Sequence, residues 1–299
     1  MTSVPPPSPP PGSLQSRPEL PDGLEPKAPL AEASPSRREG LAAVPAWAPV
    51  AAMIAAFVVA TIGYLVIGAG IEAAGTNVTT TGPPGLVISA TLVQDLALIA
   101  AALLFARMWA PGLTPAAFGL RTTRLWPAVG WMAAVMAGFW VLTLIYLSLV
   151  GEPQEQELTR DLKEEGSLTA LIAYGALLGL AAPLAEEFFF RGFMFSVLAA
   201  KWGPWLGALV TGLVFGAVHV AGSPVKTVVV LIILGVGLCL LYWRTGSLLP
   251  CIALHALNNS ISFAATKSLP ALGFGAVVLA SVALSVGVAA LVLRRPRLT

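Results

Sequence analysis

The chain has 299 residues, 57% of them hydrophobic and 11% charged, with a mean hydropathy of +0.82. Soluble domains carry about 25% charged residues, so a soluble globular fold is excluded and a polytopic all-α membrane protein is implied. The net charge of +2 does not argue for nucleic acid as a partner. Cys239 and Cys251 lie in apolar runs, as small buried hydrophobes, and set up neither a disulfide framework nor a thiolate zinc site.

In chain order, residues 1–45 hold 12 of the 25 prolines and no aromatic residue. Such a segment cannot bury enough apolar surface to offset its chain entropy, which predicts a disordered cytoplasmic tail. It lacks the apolar run of a signal peptide and is expected to stay on the mature protein. Apolar segments of spanning length follow at 47–69, 86–108, 125–150, 168–200, 205–221, 227–244, 248–266 and 270–293, giving about eight transmembrane helices. The fourth has Pro183 near its middle and is expected to kink or tilt. Between the third and fourth, residues 152–167 carry six acidic side chains and read as a short surface helix with a solvated acidic face. Asn77-Val78-Thr79 fits a glycosylation sequon by chance.

Loop charges set the expected orientation. With the N-terminus inside, twelve Lys/Arg fall on the cytoplasmic side: four in the tail, then Arg107, Arg121, Arg124, Lys201, Arg244, Arg294, Arg295 and Arg297. Four fall outside, Arg160, Lys163, Lys226 and Lys267, so both termini are expected in the cytoplasm of a cell-membrane protein. The organisation is a tail (1–45), three helices with the acidic loop (46–164), a motif-bearing core (165–262), and a last helix with a basic end (263–299).

Glu186, Glu187 and Arg191 are the only charges between Leu168 and Ala200. Uncompensated, three central charges would cost on the order of 8 to 10 kcal/mol on insertion scales. Glu187 and Arg191, one turn apart, pair in part; Glu186 stays unpaired in that scheme and marks a functional site. His219 and His255, the only histidines, lie in two further spans, with Phe215 four residues before the first and Asn259 four after the second. Gly212 and Gly216 let another helix approach His219 closely. Two carboxylates, an arginine, two histidines and an asparagine on three spans suit hydrolysis with water as nucleophile. Glu186 takes a proton from water, His219 orients that water or shares the proton, and His255 with Asn259 supplies oxyanion donors, while Glu187 and Arg191 support the site. No cofactor is favoured. The rival is zinc held by Glu186, Glu187, His219 and His255, although no H-E-x-x-H places two imidazoles on one face.

Four ordered motifs carry a resemblance: Glu186-Glu187-x-x-x-Arg191-Gly192, Phe215-x-x-x-His219, Tyr242-x-Arg244-Thr245-Gly246-Ser247-Leu248 and His255-x-x-x-Asn259. Together they resemble the CPBP family of intramembrane endopeptidases, the type II CAAX prenyl protease and bacteriocin-processing (Abi) family, over about residues 165–262. The resemblance implies a CAAX-protease-like helical bundle and a membrane-associated peptide or protein as substrate. It assigns water activation to Glu186 and His219, the oxyanion hole to His255 and Asn259, and supporting roles to Glu187 and Arg191. Members have also been labelled metalloproteases, so the metal question stays open at this point.

Other chemistries fit less well. The Gly-x-Ser-Gly of a rhomboid-like enzyme is absent, and Asp95, beside Gln94 in the second span, is the only membrane aspartate, expected to hydrogen-bond between helices or to line the cavity. A proton- or ion-coupled transporter would show an inverted repeat with paired broken helices, which the sequence lacks. A non-catalytic membrane scaffold is the third alternative.

Overall fold

The computed structural model describes residues 41–78, 82–152 and 154–293. The tail as far as residue 40, Thr79 of the sequon, and Arg294, Arg295 and Arg297 lie outside the described residues. The helices are α1 (Ala48–Ala73), α2 (Pro84–Trp109), α3 (Leu125–Val150), the short α4 (Glu157–Glu164), α5 (Leu168–Ala217), α6 (Val225–Thr245), α7 (Leu248–Thr266) and α8 (Ala271–Leu293). Among the described residues, α1, α2, α3, α5, α6 and α7 are each long and apolar enough to cross a membrane. Their outward faces are apolar as well: Val66, Leu96, Leu104 and Leu149 are exposed, as lipid-facing residues are.

Local chemistry explains the helix ends. Pro84 occupies the first turn of α2, where its missing N–H costs nothing and its φ suits a helix. Gly246, at φ 63°, closes α6 in the left-handed conformation, and the Ser247 side chain accepts from Leu249 N to open α7. The acidic loop forms its surface helix, α4, whose Leu162 is buried.

The two spans expected at 168–200 and 205–221 are the two limbs of α5. Gly203 breaks the helix with φ 80° and ψ 164°. Leu198 lies against Gly207, and the Phe190 ring is 5.1 Å from that of Phe215. Along a straight helix Phe190 and Phe215 would be about 37 Å apart, so the chain reverses and the limbs run antiparallel. Both contacts are centred between residues 202 and 203. Glu186 and His219 share that centre, so the reversal brings them to the same depth. The Gly203 conformation belongs almost to glycine alone. Gly203→Ala is expected to cost on the order of 1–3 kcal/mol although open space surrounds the added Cβ. Thermal unfolding in detergent reads this; a melting temperature equal to wild type would refute the reversal as described.

The interhelical loops gather at opposite ends. At one end Lys201 Nζ donates to Ala42 O at 2.5 Å and Arg121 Nε to Gly246 O at 2.6 Å. At the other, Gln156 Nε2 donates to Ser223 Oγ at 3.1 Å, and Lys267 Nζ to Leu162 O at 3.0 Å and Glu165 O at 2.9 Å. Loops assigned from sequence to one side thus meet loops assigned to the same side.

Candidate functional site

Pro183 disturbs α5, and the site forms around that disturbance. It has no N–H to donate, and its ring crowds the carbonyl four residues back, at Gly179. The backbone widens into π-helical stretches, Leu177–Ala181 and Glu187–Phe195, on either side of Ala182–Glu186. Widened turns leave carbonyls for outside donors. Leu178 O accepts from Asn259 Nδ2 at 3.1 Å and Gly179 O from Ser285 Oγ at 2.7 Å. The kink expected at Pro183 is therefore a pair of wide turns.

The adjacent glutamates have different surroundings. Glu187 is fully buried, and its Oε1 accepts from Arg191 Nη1 at 2.6 Å and from His255 Nδ1 at 2.8 Å. Arg191, equally buried, donates Nη2 to Gly235 O at 3.2 Å and lies 4.6 Å over the Phe215 ring. The Glu186 side chain keeps 15% exposure, with Oε2 3.8 Å from His255 Nε2. The expected Glu187–Arg191 pair is present, and Glu186 has a histidine beside it where the sequence suggested no partner.

His219 sits in the turn after the returning limb, its Nδ1 2.7 Å from Phe215 O. A carbonyl oxygen only accepts, so Nδ1 carries the hydrogen and Nε2 of the neutral ring is a lone-pair acceptor. The Phe215 ring lies 5.0 Å from the His219 ring and 5.9 Å from that of His255. Arg191, His219 and His255 thus gather around one phenylalanine, with Glu187 bonded to the first and last of them and Glu186 3.8 Å from His255. Asn259 follows His255 by one turn on α7, with one amide hydrogen on Leu178 O and a second to offer. The close approach expected at Gly212 and Gly216 is made by α6: Cβ atoms there would meet Val236 and Ile232.

Of the side chains weighed for zinc, Glu187 Oε1 is engaged by Arg191 and His255, and His219 Nδ1 by a carbonyl, a bond that leaves Nε2 as the other ring donor. Among the described residues no three His, Cys, Asp or Glu side chains are grouped to hold a metal ion.

Of the two roles expected of Asp95, a hydrogen bond between helices and lining the cavity, the first is not seen. Asp95 is buried on α2, and neither carboxyl oxygen has a hydrogen-bond partner among the described residues, so it is no interhelical strut. α2 packs against Ala182–Glu186, and the charge of Glu186 acts on Asp95. The sequence offered one signal for this placement, a lone acid in an apolar span.

The third motif builds scaffold. Ser247 Oγ donates to Arg121 O at 2.5 Å and Leu248 N to Gly119 O at 2.8 Å, tying the α6–α7 turn to the loop before α3. Gly192 of the first motif meets the same loop, where an added Cβ would lie 2.8 Å from Phe118 O. Cys239 and Cys251 are buried, as their apolar surroundings implied.

Residues 168–261 match the family described as type II CAAX prenyl endopeptidase Rce1-like, which bears out the resemblance carried by the four motifs. A curated relative, an uncharacterized 24.3 kDa protein of Escherichia coli, is 32% identical over 129 residues, 42% of this chain and 59% of that protein. The match therefore spans a little over half the length of that relative. No solved structure gives a significant match.

Proposed function

We propose that this chain, whose core is similar to the Rce1-like endopeptidases, hydrolyses peptide bonds of membrane-associated peptides or proteins with water activated by Glu186 and without a metal. The observation that carries this reading is the folding of α5 upon itself at Gly203, which sets Glu186 level with His219 while α7 brings His255 Nε2 within 3.8 Å of Glu186.

The chemistry follows from which atoms are free. Water bound between Glu186 and His219 donates one hydrogen bond to His219 Nε2. Its oxygen bonds to the scissile carbonyl carbon as Glu186 takes the second hydrogen as a proton. The carbonyl π electrons move onto oxygen, held by His255 Nε2–H and the spare Asn259 amide hydrogen. Collapse breaks the C–N bond, and the proton on Glu186 passes to the departing nitrogen, leaving an acid and an amine. Because His255 Nδ1 is committed to Glu187, Nε2 carries a hydrogen when the ring is an imidazolium.

Purified protein in liposomes, given a library of membrane-associated peptides, is expected to cleave a subset, with His219→Ala slower by about 10²-fold or more. Equal cleavage by the variant would remove His219 from the mechanism.

The same reading places the protein in the cell membrane with both termini cytoplasmic, on the twelve-to-four distribution of loop cations. Gln154→Cys, with Cys239 and Cys251 replaced by Ala, should react with a membrane-impermeant maleimide on intact cells. Arg124→Cys in that background should react only after lysis, and the reverse pattern would invert the topology.

A further inference from the structure

Asp95 is a buried carboxyl for which the fold provides no donor. It is 4% exposed, both oxygens lack hydrogen-bond partners among the described residues, and it sits in the second apolar span. Neighbours bury it without neutralising it. The elements packed on α2 carry Tyr64 and Glu72 on α1 and Tyr174, Glu186, Glu187 and Arg191 on α5. Arg191, the one cation of that group, is engaged by Glu187 and by Gly235 O. Glu186 is the member whose charge acts on Asp95. A structural role would leave the carboxyl hydrogen-bonded, because an unsatisfied buried polar group destabilises a fold. An orphaned acid beside the proposed base fits a functional role instead.

We propose that Asp95 is a positioning residue for Glu186: the two carboxyls share a buried water, which fixes the direction of the Glu186 carboxylate. Asp95 keeps its own proton through the reaction. It offers that hydrogen to the shared water, which in turn donates to Glu186. The proton that Glu186 takes from the attacking water returns to the departing nitrogen, so Asp95 changes neither the stoichiometry nor the reacting bonds. This inference rests on the endopeptidase reading above.

The test compares wild type, Asp95→Leu, Asp95→Asn and Glu186→Gln as full-length protein in liposomes, by kcat, KM and melting temperature on one cleaved peptide. Asp95→Leu should lower kcat at least tenfold with KM within about twofold, and melt at or above the wild-type temperature because it removes an unsatisfied polar group. Asp95→Asn keeps a neutral polar contact to the water and should hold kcat within about threefold. Wild-type kcat in Asp95→Leu would overturn the proposal. So would an Asn variant as slow as the Leu variant, or a lower melting temperature in both. Glu186→Gln at wild-type rate would instead sink the catalytic reading itself.

Discussion

Glu186→Gln is expected to leave the protein folded and to lower kcat by about 10²- to 10⁴-fold, the range a positioned general base contributes. The substitution keeps the shape of the side chain and removes its capacity to accept the water proton. Little structure depends on the charge: the side chain is the more exposed of the two glutamates, and its contact with His255 spans 3.8 Å. KM should change little, since the proton moves in the transition state and not in binding. Steady-state kinetics beside a melting curve checks both halves. A variant that cleaves at the wild-type rate would remove Glu186 as the base, and one that fails to fold would make it structural.

Arg191→Leu should damage stability first. The guanidinium is completely buried, as is the Glu187 carboxylate it pairs with at 2.6 Å. Truncating one partner of a buried pair leaves the other uncompensated, at about 3–5 kcal/mol. Here the loss spreads further, because Glu187 Oε1 also accepts from His255 Nδ1 and so orients that ring. The double variant Glu187→Leu/Arg191→Leu removes both charges and should recover much of the stability, as apolar replacement of buried ion pairs often does. It should stay slow, since His255 then lacks the acceptor that holds its Nδ1. Thermal unfolding of both variants in one detergent decides the matter; Arg191→Leu as stable as wild type would show that the pair is not the support described.

Much of the fold was legible because membrane insertion imposes long apolar runs. The bounds of α3 and α7 follow directly from those runs, and α1, α2, α6 and α8 shift from the expected limits by a few residues at either end. The site residues were legible because charge is costly among apolar neighbours. Depth was not legible. The apolar runs alone do not fix the levels of Glu186 and His219; the antiparallel limbs reversing at Gly203 align them. A glycine in Lys201-Trp202-Gly203-Pro204 signals a turn but not the register of the limbs beyond it. The wide turns at Pro183 were equally hidden, since a proline announces a break without saying how the backbone accommodates it. The Glu187–His255 bond and the orphaned Asp95 are tertiary facts, set by how α7 and α2 dock on α5.

Water activation by Glu186 without a metal is tested most directly by cleavage in a metal-stripped preparation. Wild type and Glu186→Gln would be dialysed against a strong chelator, assayed for residual zinc by mass spectrometry, and given the same membrane-associated peptide in liposomes. The expected result is full wild-type cleavage at substoichiometric metal and at least a hundredfold slower cleavage by the variant. Wild-type activity lost on chelation and restored by zinc would contradict it.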